Sequence, residues 1–481
     1  MRRTNWSLII SIAILAVTIG VIATYAIIEE NGRYWQDYAT ELRDEYYELA
    51  DFLQFLDHLR THHYFYDEGN DLIRGAIEGM IAQTDDPWAR LMTVEEYWSF
   101  ADALFGSFSG LGIRVMEVDG YTIIVETIQG SPAEIAGLQP GDAIISVGNV
   151  RYDDHEFEEF IKELPGASGT VVTLEIQRAS DLFYQDLTRG NIIFEEVELD
   201  TFEREDKVIG YVSVSSFGVD TQSEFSDAIT ELERIGIDGL IIDMRNNPGG
   251  ALLTLNTMIN YLLPDNRIIS TIINRDGRET VQRTRGDDSY RLDVDIVTLI
   301  NGNSASASEL FAAAMMESGG FEVIGTTSYG KGTAQTPMHI GDNILISTIQ
   351  EGLTPSGNYI EGFGVTPTIY VEMPEFHYFS PIHLGTDDIL EYDMVDARIA
   401  NAQLILESLG YDVTRTDGYF DASTATAVLE FQRSSKLNET GNLNPETATA
   451  LSKILFAKMQ NTTYDTQLSS ALDFFLGYVK Q

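Results

Sequence analysis

Three turn segments gather the residues able to do chemistry: RNNPGG (Arg245–Gly250), NGNSASASE (Asn301–Glu309) and SYGKGTAQ (Ser328–Gln335). Paired glycines between a buried strand and a helix expose backbone N–H groups at the helix N-terminus, an arrangement that stabilises an oxyanion. The same residues also make a plain tight turn. Ser304, Ser306 and Ser308 lie between the strand-like DIVTLI and a helix, where one could act as a nucleophile and all could serve as caps. Lys331 stands between Gly330 and Gly332, a small-residue setting that lets a long amine reach inward, although taken alone a lysine beside glycines is usually a solvated loop residue. The chain has no cysteine, which excludes disulfides, thiolate metal sites and a cysteine nucleophile.

Rival chemistries fail on particular residues. Gly325 to Thr333 nearly spells the phosphate-binding loop G-x-x-x-x-G-K-[ST], with LIIDM (Leu240–Met244) as its acidic strand, but Gly332 takes the place of the magnesium-binding hydroxyl. Pro337 and the strand-like ILISTIQ replace the helix that such a loop needs. Ser328-x-x-Lys331 fits the S-x-x-K of penicillin-recognising enzymes, yet no S-D-N or K-T-G accompanies it. A Ser–His–Asp hydrolase lacks its G-x-S-x-G and finds only His339 in this region. His58, His62 and His63 sit among apolar residues at helical spacing with no carboxylate or further histidine at ligand spacing, so they read as part of the packing rather than a metal site.

The elements that must position these turns follow from pattern. At 481 residues the chain is about three domains long. Lys+Arg 30 against Asp+Glu 75 gives −45, a charge that repels phosphate backbones and excludes nucleic acid as a natural partner. Leu8 to Ile28 carries no charge, and at about 1.5 Å per residue it is long enough to cross a hydrocarbon core. Arg2 and Arg3 before it set the N-terminus inside and the rest of the chain outside; the run ends without a small-x-small exit, which favours a retained anchor over a cleaved signal. Residues 31–97 read as helical, residues 98–180 as short strands with glycine turns, and residues 181–375 as alternating strand and helix, the mark of an α/β layered domain. Residues 390–457 can be drawn as three amphipathic helices joined by DG and TG turns, and residues 458–481 as one more amphipathic helix without an evident partner.

The β-rich segment resembles a PDZ domain through GLGI at Gly110–Ile113, SPAEIAGLQPGD and the closing strand TVVTLEIQR. That likeness implies capture of a peptide C-terminus by backbone N–H groups of Leu111, Gly112 and Ile113, with Ile113–Val118 open to β-augmentation. Taken together, GAIEGMIAQTDDPWARLMTVEEYWSF, DMRNNPGG, NGNSASASELFAAAM, GTTSYGKGTAQ and LTPSGNYIEGFGVTPT resemble the carboxy-terminal processing, or tail-specific, serine peptidases. By that resemblance the nucleophile falls on Ser306, its base on Lys331 and an orienting glutamine on Gln335, with oxyanion donors from the backbone of Gly250 and Ala307, and neither metal nor cofactor is required. Where the family often has a tyrosine-serine pair after DP this chain reads DPWAR, a departure outside the three catalytic turns. Gln403, LGY, DGYF, TxxAV, FQ and the late GxLxxxT resemble a peptidoglycan-binding module.

The expected molecule is thus a multi-domain α/β protein: transmembrane anchor over residues 1–30, helical arm, PDZ domain, Ser–Lys protease core, three-helix wall module and tail helix. Its expected partners are protein or peptide substrates with free C-termini, peptidoglycan, and the membrane through the N-terminal helix; a homodimer is an open possibility. An inactive wall-bound PDZ scaffold is the alternative to an endopeptidase.

Overall fold

The structure, a computed structural model, describes residues 49–479 except 68, 70, 105–106, 194–195 and 286–291. The apolar run Leu8–Ile28 lies outside the described residues, and among the described residues no helix is long and apolar enough to cross a membrane.

The chain divides into two compact units at Pro87/Trp88. The first contains a helix over residues 49–62 and the helix Leu72–Ala82, whose N-cap Asp71 accepts the Arg74 N–H at 2.9 Å. His58 and His62 are exposed and stack on each other, and no group suited to a metal ion occurs among the described residues.

Within the second unit, the β-rich sheet has six strands: Ile113–Val118, Tyr121–Thr127, Ala143–Val147, Val171–Arg178 and Asp181–Thr188 in that order, with the short Val150–Arg151 paired on Ala143–Val147. Leu111, Ile124, Ile144, Phe160, Leu174 and Ile176 fill its interior. Ile113–Val118 is the terminal strand of this sheet, so one of its edges is unpaired among the described strands.

The α/β domain is built on a six-stranded sheet: Val197–Arg204, Lys207–Val214, Gly239–Asp243, Asp295–Ile300, Glu322–Gly325, Ile369–Tyr370. The first pair is antiparallel and the rest are parallel. Successive side chains of a strand face opposite ways. Ile296 and Ile300 therefore join the core beneath helices Thr221–Ile235, Leu252–Leu262 and Ala307–Ala313, while Val297 and Leu299 face the other layer. That second layer is the tail helix Thr466–Phe475, whose Leu468, Ala471, Leu472 and Phe475 pack on Ile209, Ile241, Val297, Leu299 and Ile324. The sheet is the partner that sequence alone could not supply for the tail.

Three segments depart from the sequence reading. RIISTII and ILISTIQ do not extend the layered sheet; Ile268–Asn274 and Asn343–Leu353 belong to a separate antiparallel sheet with Arg90–Thr93, Glu279–Arg283 and Thr333–Ile340. Arg90–Thr93 is a strand inside the stretch read as helical, held by pairing with Asn343–Ile346 far along the chain. Local pattern marks a strand but carries no information about which sheet it joins.

The last domain packs helices Ala397–Ser408, Ala422–Ser434 and Pro445–Met459, with Asp396, Asp421 and Asn444 capping their N-termini. Two of the motif residues are buried struts. Gln403 joins Tyr419 O, Thr424 Oγ1 and the Gly418 N–H, and Gln432 joins Asn442 O, Thr447 Oγ1 and the N–H groups of Thr440 and Gly441. This module also touches the β-rich domain: Gln177 donates to Leu384 O at 2.8 Å, and Tyr121 packs on His383 with ring centroids 4.1 Å apart.

If the tail helix is a layer of the domain, Leu472→Ala should cost about 2–5 kcal/mol, as buried leucine truncations do. Urea denaturation followed by tryptophan fluorescence reads this out, and an unchanged midpoint would mean that the helix is only loosely attached.

Candidate active site

Ser306 precedes the first residue of helix Ala307–Ala313 with φ 58° and ψ −113°, a positive-φ conformation outside the left-handed α region and one that residues with a Cβ rarely adopt. Such strain persists only where surrounding structure enforces it. The enforcing group is Glu309, fully buried three residues further on. One of its oxygens accepts the N–H groups of Ser306 (2.7 Å) and Lys331 (2.8 Å); the other accepts Ser328 Oγ (2.6 Å) and the Gly330 N–H (2.7 Å). A single carboxylate thus joins the serine turn to the lysine turn.

The two flanking serines have structural duties. Ser304 Oγ donates to Met244 O and Ser308 Oγ to Asn247 O, both at 2.8 Å and both fully buried. Of the three serines this leaves Ser306, half-buried, as the one whose hydroxyl is not spent on these ties.

The RNNPGG turn packs directly beneath it. Asn247 is buried; its amide donates to Val214 O, its carbonyl oxygen accepts the Gly249 N–H, and its backbone carbonyl accepts the Ala305 N–H at 2.9 Å. Gly249 has φ 102°, and a Cβ there would lie 2.8 Å from Ser306 Cβ and 3.0 Å from Ala307 N, so only glycine lets the turns meet. Phe217 brackets Gly250: its N–H donates to Gly249 O and its carbonyl accepts the Ala251 N–H. The Gly250 and Ala307 N–H groups make no hydrogen bond among the described residues, the condition an oxyanion donor must meet. From below, the largely covered Arg245 guanidinium bridges Asp243 (2.6 Å) and Asp465 (2.8 Å) at the start of the tail helix, tying the turn to a segment 220 residues away.

Lys331 is half-buried. Burial, and secondarily the charge of Arg90, hold its amine below the ordinary lysine range, against the opposing pull of Glu361 and Glu309. Its Nζ lies 4.5 Å from the centroid of the Trp88 ring and makes no hydrogen bond to Ser306 or Gln335 among the described residues. Gln335 donates instead to Thr333 Oγ1 and Thr348 Oγ1. The sequence reading placed DPWAR outside the site; the fold brings Trp88 to the lysine, because strand Arg90–Thr93 carries it to the sheet that continues from the lysine loop. Glu309 and Trp88 are the residues that sequence reasoning missed. For Glu309 the signal was its position three residues after a serine at a helix start.

At the β-rich domain, Gly112 has φ 74°, and a Cβ there would lie 2.2 Å from Ser131 Cβ. The carbonyls of Leu111 and Gly112 are used by Ala133 N and Ile128 N, while the Leu111 and Gly112 N–H groups make no hydrogen bond among the described residues.

A PDZ domain beside an α/β core with a serine at a strained helix start defines a modular hydrolase class, and comparison with known proteins specifies it. Residues 208–371 match peptidase family S41, 123–178 a PDZ domain and 396–451 a peptidoglycan-binding domain. The chain is 35% identical over 412 residues to the carboxy-terminal processing protease CtpB of Bacillus subtilis, covering 83% of each, and 34% identical over 422 residues to CtpA of the same organism, covering 87% and 88%. Among solved structures, the photosystem II D1 C-terminal processing protease aligns with TM-score 0.47 and 25% identity over 66% of this chain and 86% of that one. The chain belongs to the carboxy-terminal processing serine peptidases of family S41.

Glu309→Gln puts an amide N–H₂ among four donors. Charge-assisted hydrogen bonds to a buried carboxylate contribute about 1.5–3 kcal/mol each, so peptidase activity should fall by at least about 10-fold and the melting temperature should drop. Wild-type turnover in this variant would show that the strained serine does not depend on the carboxylate.

Proposed function

We propose that this peptidase is anchored by Leu8–Ile28 with its domains outside the cytoplasm, captures a protein C-terminus at its PDZ domain, and cleaves the chain through a Ser306–Lys331 acyl-enzyme. The observation that carries the reading is the convergence on one buried carboxylate of a strained serine and a lysine whose amine is held below its ordinary range. Neutral Lys331 takes the Ser306 Oγ proton as the oxygen attacks the scissile carbonyl. The Gly250 and Ala307 N–H groups hold the oxyanion, and the Lys331 ammonium returns the proton to the leaving amine. Water, deprotonated by Lys331, then releases the acyl group. Gln335, within the same turn-strand segment, orients the amine once its side chain leaves the two threonines. The wall module retains the enzyme at peptidoglycan despite the anionic charge of the chain.

Ser306→Ala and Lys331→Ala should each reduce cleavage of an unfolded protein by about 10³-fold or more while preserving the melting curve. Turnover in the purified Ser306→Ala protein near the wild-type level would favour another nucleophile, and absence of turnover in the wild type would leave the inactive scaffold.

C-terminal capture is tested separately. Amidating the substrate's C-terminus should lower kcat/KM about 10- to 100-fold, the worth of one or two charge-assisted hydrogen bonds. Gly112→Val should mimic amidation, since its Cβ would strike Ser131. Equal cleavage of the acid and the amide would leave an endopeptidase indifferent to chain ends.

A further inference from the structure

Lys331 has two competing neighbours. A base for Ser306 must be a neutral amine, yet the face of an indole attracts an ammonium and offers little to the neutral form. Nζ sits over that face at 4.5 Å and is not hydrogen-bonded to the serine. Trp88 is firmly placed to hold it. The indole rides on the segment entering strand Arg90–Thr93, which pairs with Asn343–Ile346, and packs near the Tyr329 ring with centroids 6.1 Å apart. Its N–H reaches Glu361 Oε1 at 3.3 Å, while Glu361 Oε2 accepts the N–H groups of Gly332 (2.7 Å) and Thr333 (3.2 Å). The same carboxylate therefore fixes both the aromatic ring and the backbone from which Lys331 projects.

We infer that Trp88 is a positioning residue that parks the Lys331 ammonium on its indole face, off Ser306, so that the amine must leave the ring and lose its proton before it can act as the base. The inference rests on the Ser306–Lys331 reading. On leaving the ring the ammonium gives one proton to solvent water, and the neutral amine then exchanges the cation–π contact for a hydrogen bond accepted from the Ser306 hydroxyl. Among the described residues the charged groups that act on the amine are Arg90, which like burial disfavours the ammonium, and Glu361 and Glu309, which favour it. The ring adds to the second set. A base limb is present above the pKa of the amine and is lost as pH falls through it, so weakening the ring face moves that limb to lower pH.

The test is the pH dependence of kcat and KM on one unfolded protein substrate for wild type, Trp88→Leu and Trp88→Phe, with the full chain in detergent. Trp88→Leu should move the rising limb of kcat to lower pH and raise kcat on that limb about 2- to 30-fold, the range for a cation–π contact, with KM little changed. Trp88→Phe keeps a weaker ring face and loses the N–H to Glu361, so its limb should fall between those of wild type and Trp88→Leu. Should Trp88→Leu fail to fold, wild-type chain made with mono- and trifluorinated tryptophan keeps shape and N–H while withdrawing charge from the ring, and the limb should move down in step with fluorination. A limb that moves to higher pH with falling kcat would mean that Trp88 desolvates the base and aids it. An unmoved limb would make the contact merely structural; either result overturns the inference. Retained turnover in Lys331→Ala would instead defeat the Ser–Lys reading itself.

Discussion

The four hydrogen bonds accepted by Glu309 are the constraint on which the site depends. A buried carboxylate must be satisfied or it costs several kcal/mol, and here its donors are the backbone and hydroxyl of two separate turns. Satisfying it forces Ser306 into its strained conformation and sets the lysine turn beside it. Ser328 Oγ also accepts the Val365 N–H at 2.6 Å, so the network extends to the segment that carries Glu361. Removing any one donor leaves the charge partly unpaired, which explains why turns about 20 residues apart in sequence are held in register.

The same logic of mutual support operates between domains. The tail helix completes the sandwich of the peptidase core and delivers Asp465 to Arg245, whose guanidinium lies beneath the RNNPGG turn. A chain that leaves the core after residue 371, builds the wall module and then returns is clamped to the core at both ends of that excursion. The module meanwhile rests on the PDZ domain through a polar contact, with Lys453 donating to Gln139 at 2.7 Å beside the buried Gln177 to Leu384 bond. The PDZ hairpin turn that follows the open strand Ile113–Val118 ends on Tyr121, itself packed on His383.

Much of this was legible beforehand. The three turns, the succession of PDZ, peptidase and peptidoglycan-binding domains and the alternation of the core sheet are local signals, because a glycine pair, a serine cluster or a strand pattern is written in consecutive residues. The identity of the family lay in the same stretches. The position of the second sheet was not legible, since Ile268–Asn274 and Asn343–Leu353 have the same local pattern as core strands and differ only in what they pair with. Gln403 and Gln432, which marked the wall module, proved to be internal struts; a motif reports a fold as readily as a contact surface.

Sequence by itself determined which residues could do chemistry and the class of protein that carries them, since side-chain type and short-range spacing are covalent facts. Tertiary structure alone decided which of the three serines does not spend its hydroxyl on a buried backbone carbonyl, that Glu309 links both turns, that the tail helix belongs to the sheet, and that Trp88 covers the lysine. Each of those depends on pairings between residues roughly 20 to 270 positions apart, fixed by burial and hydrogen-bond satisfaction across the whole core rather than by any neighbour in the chain.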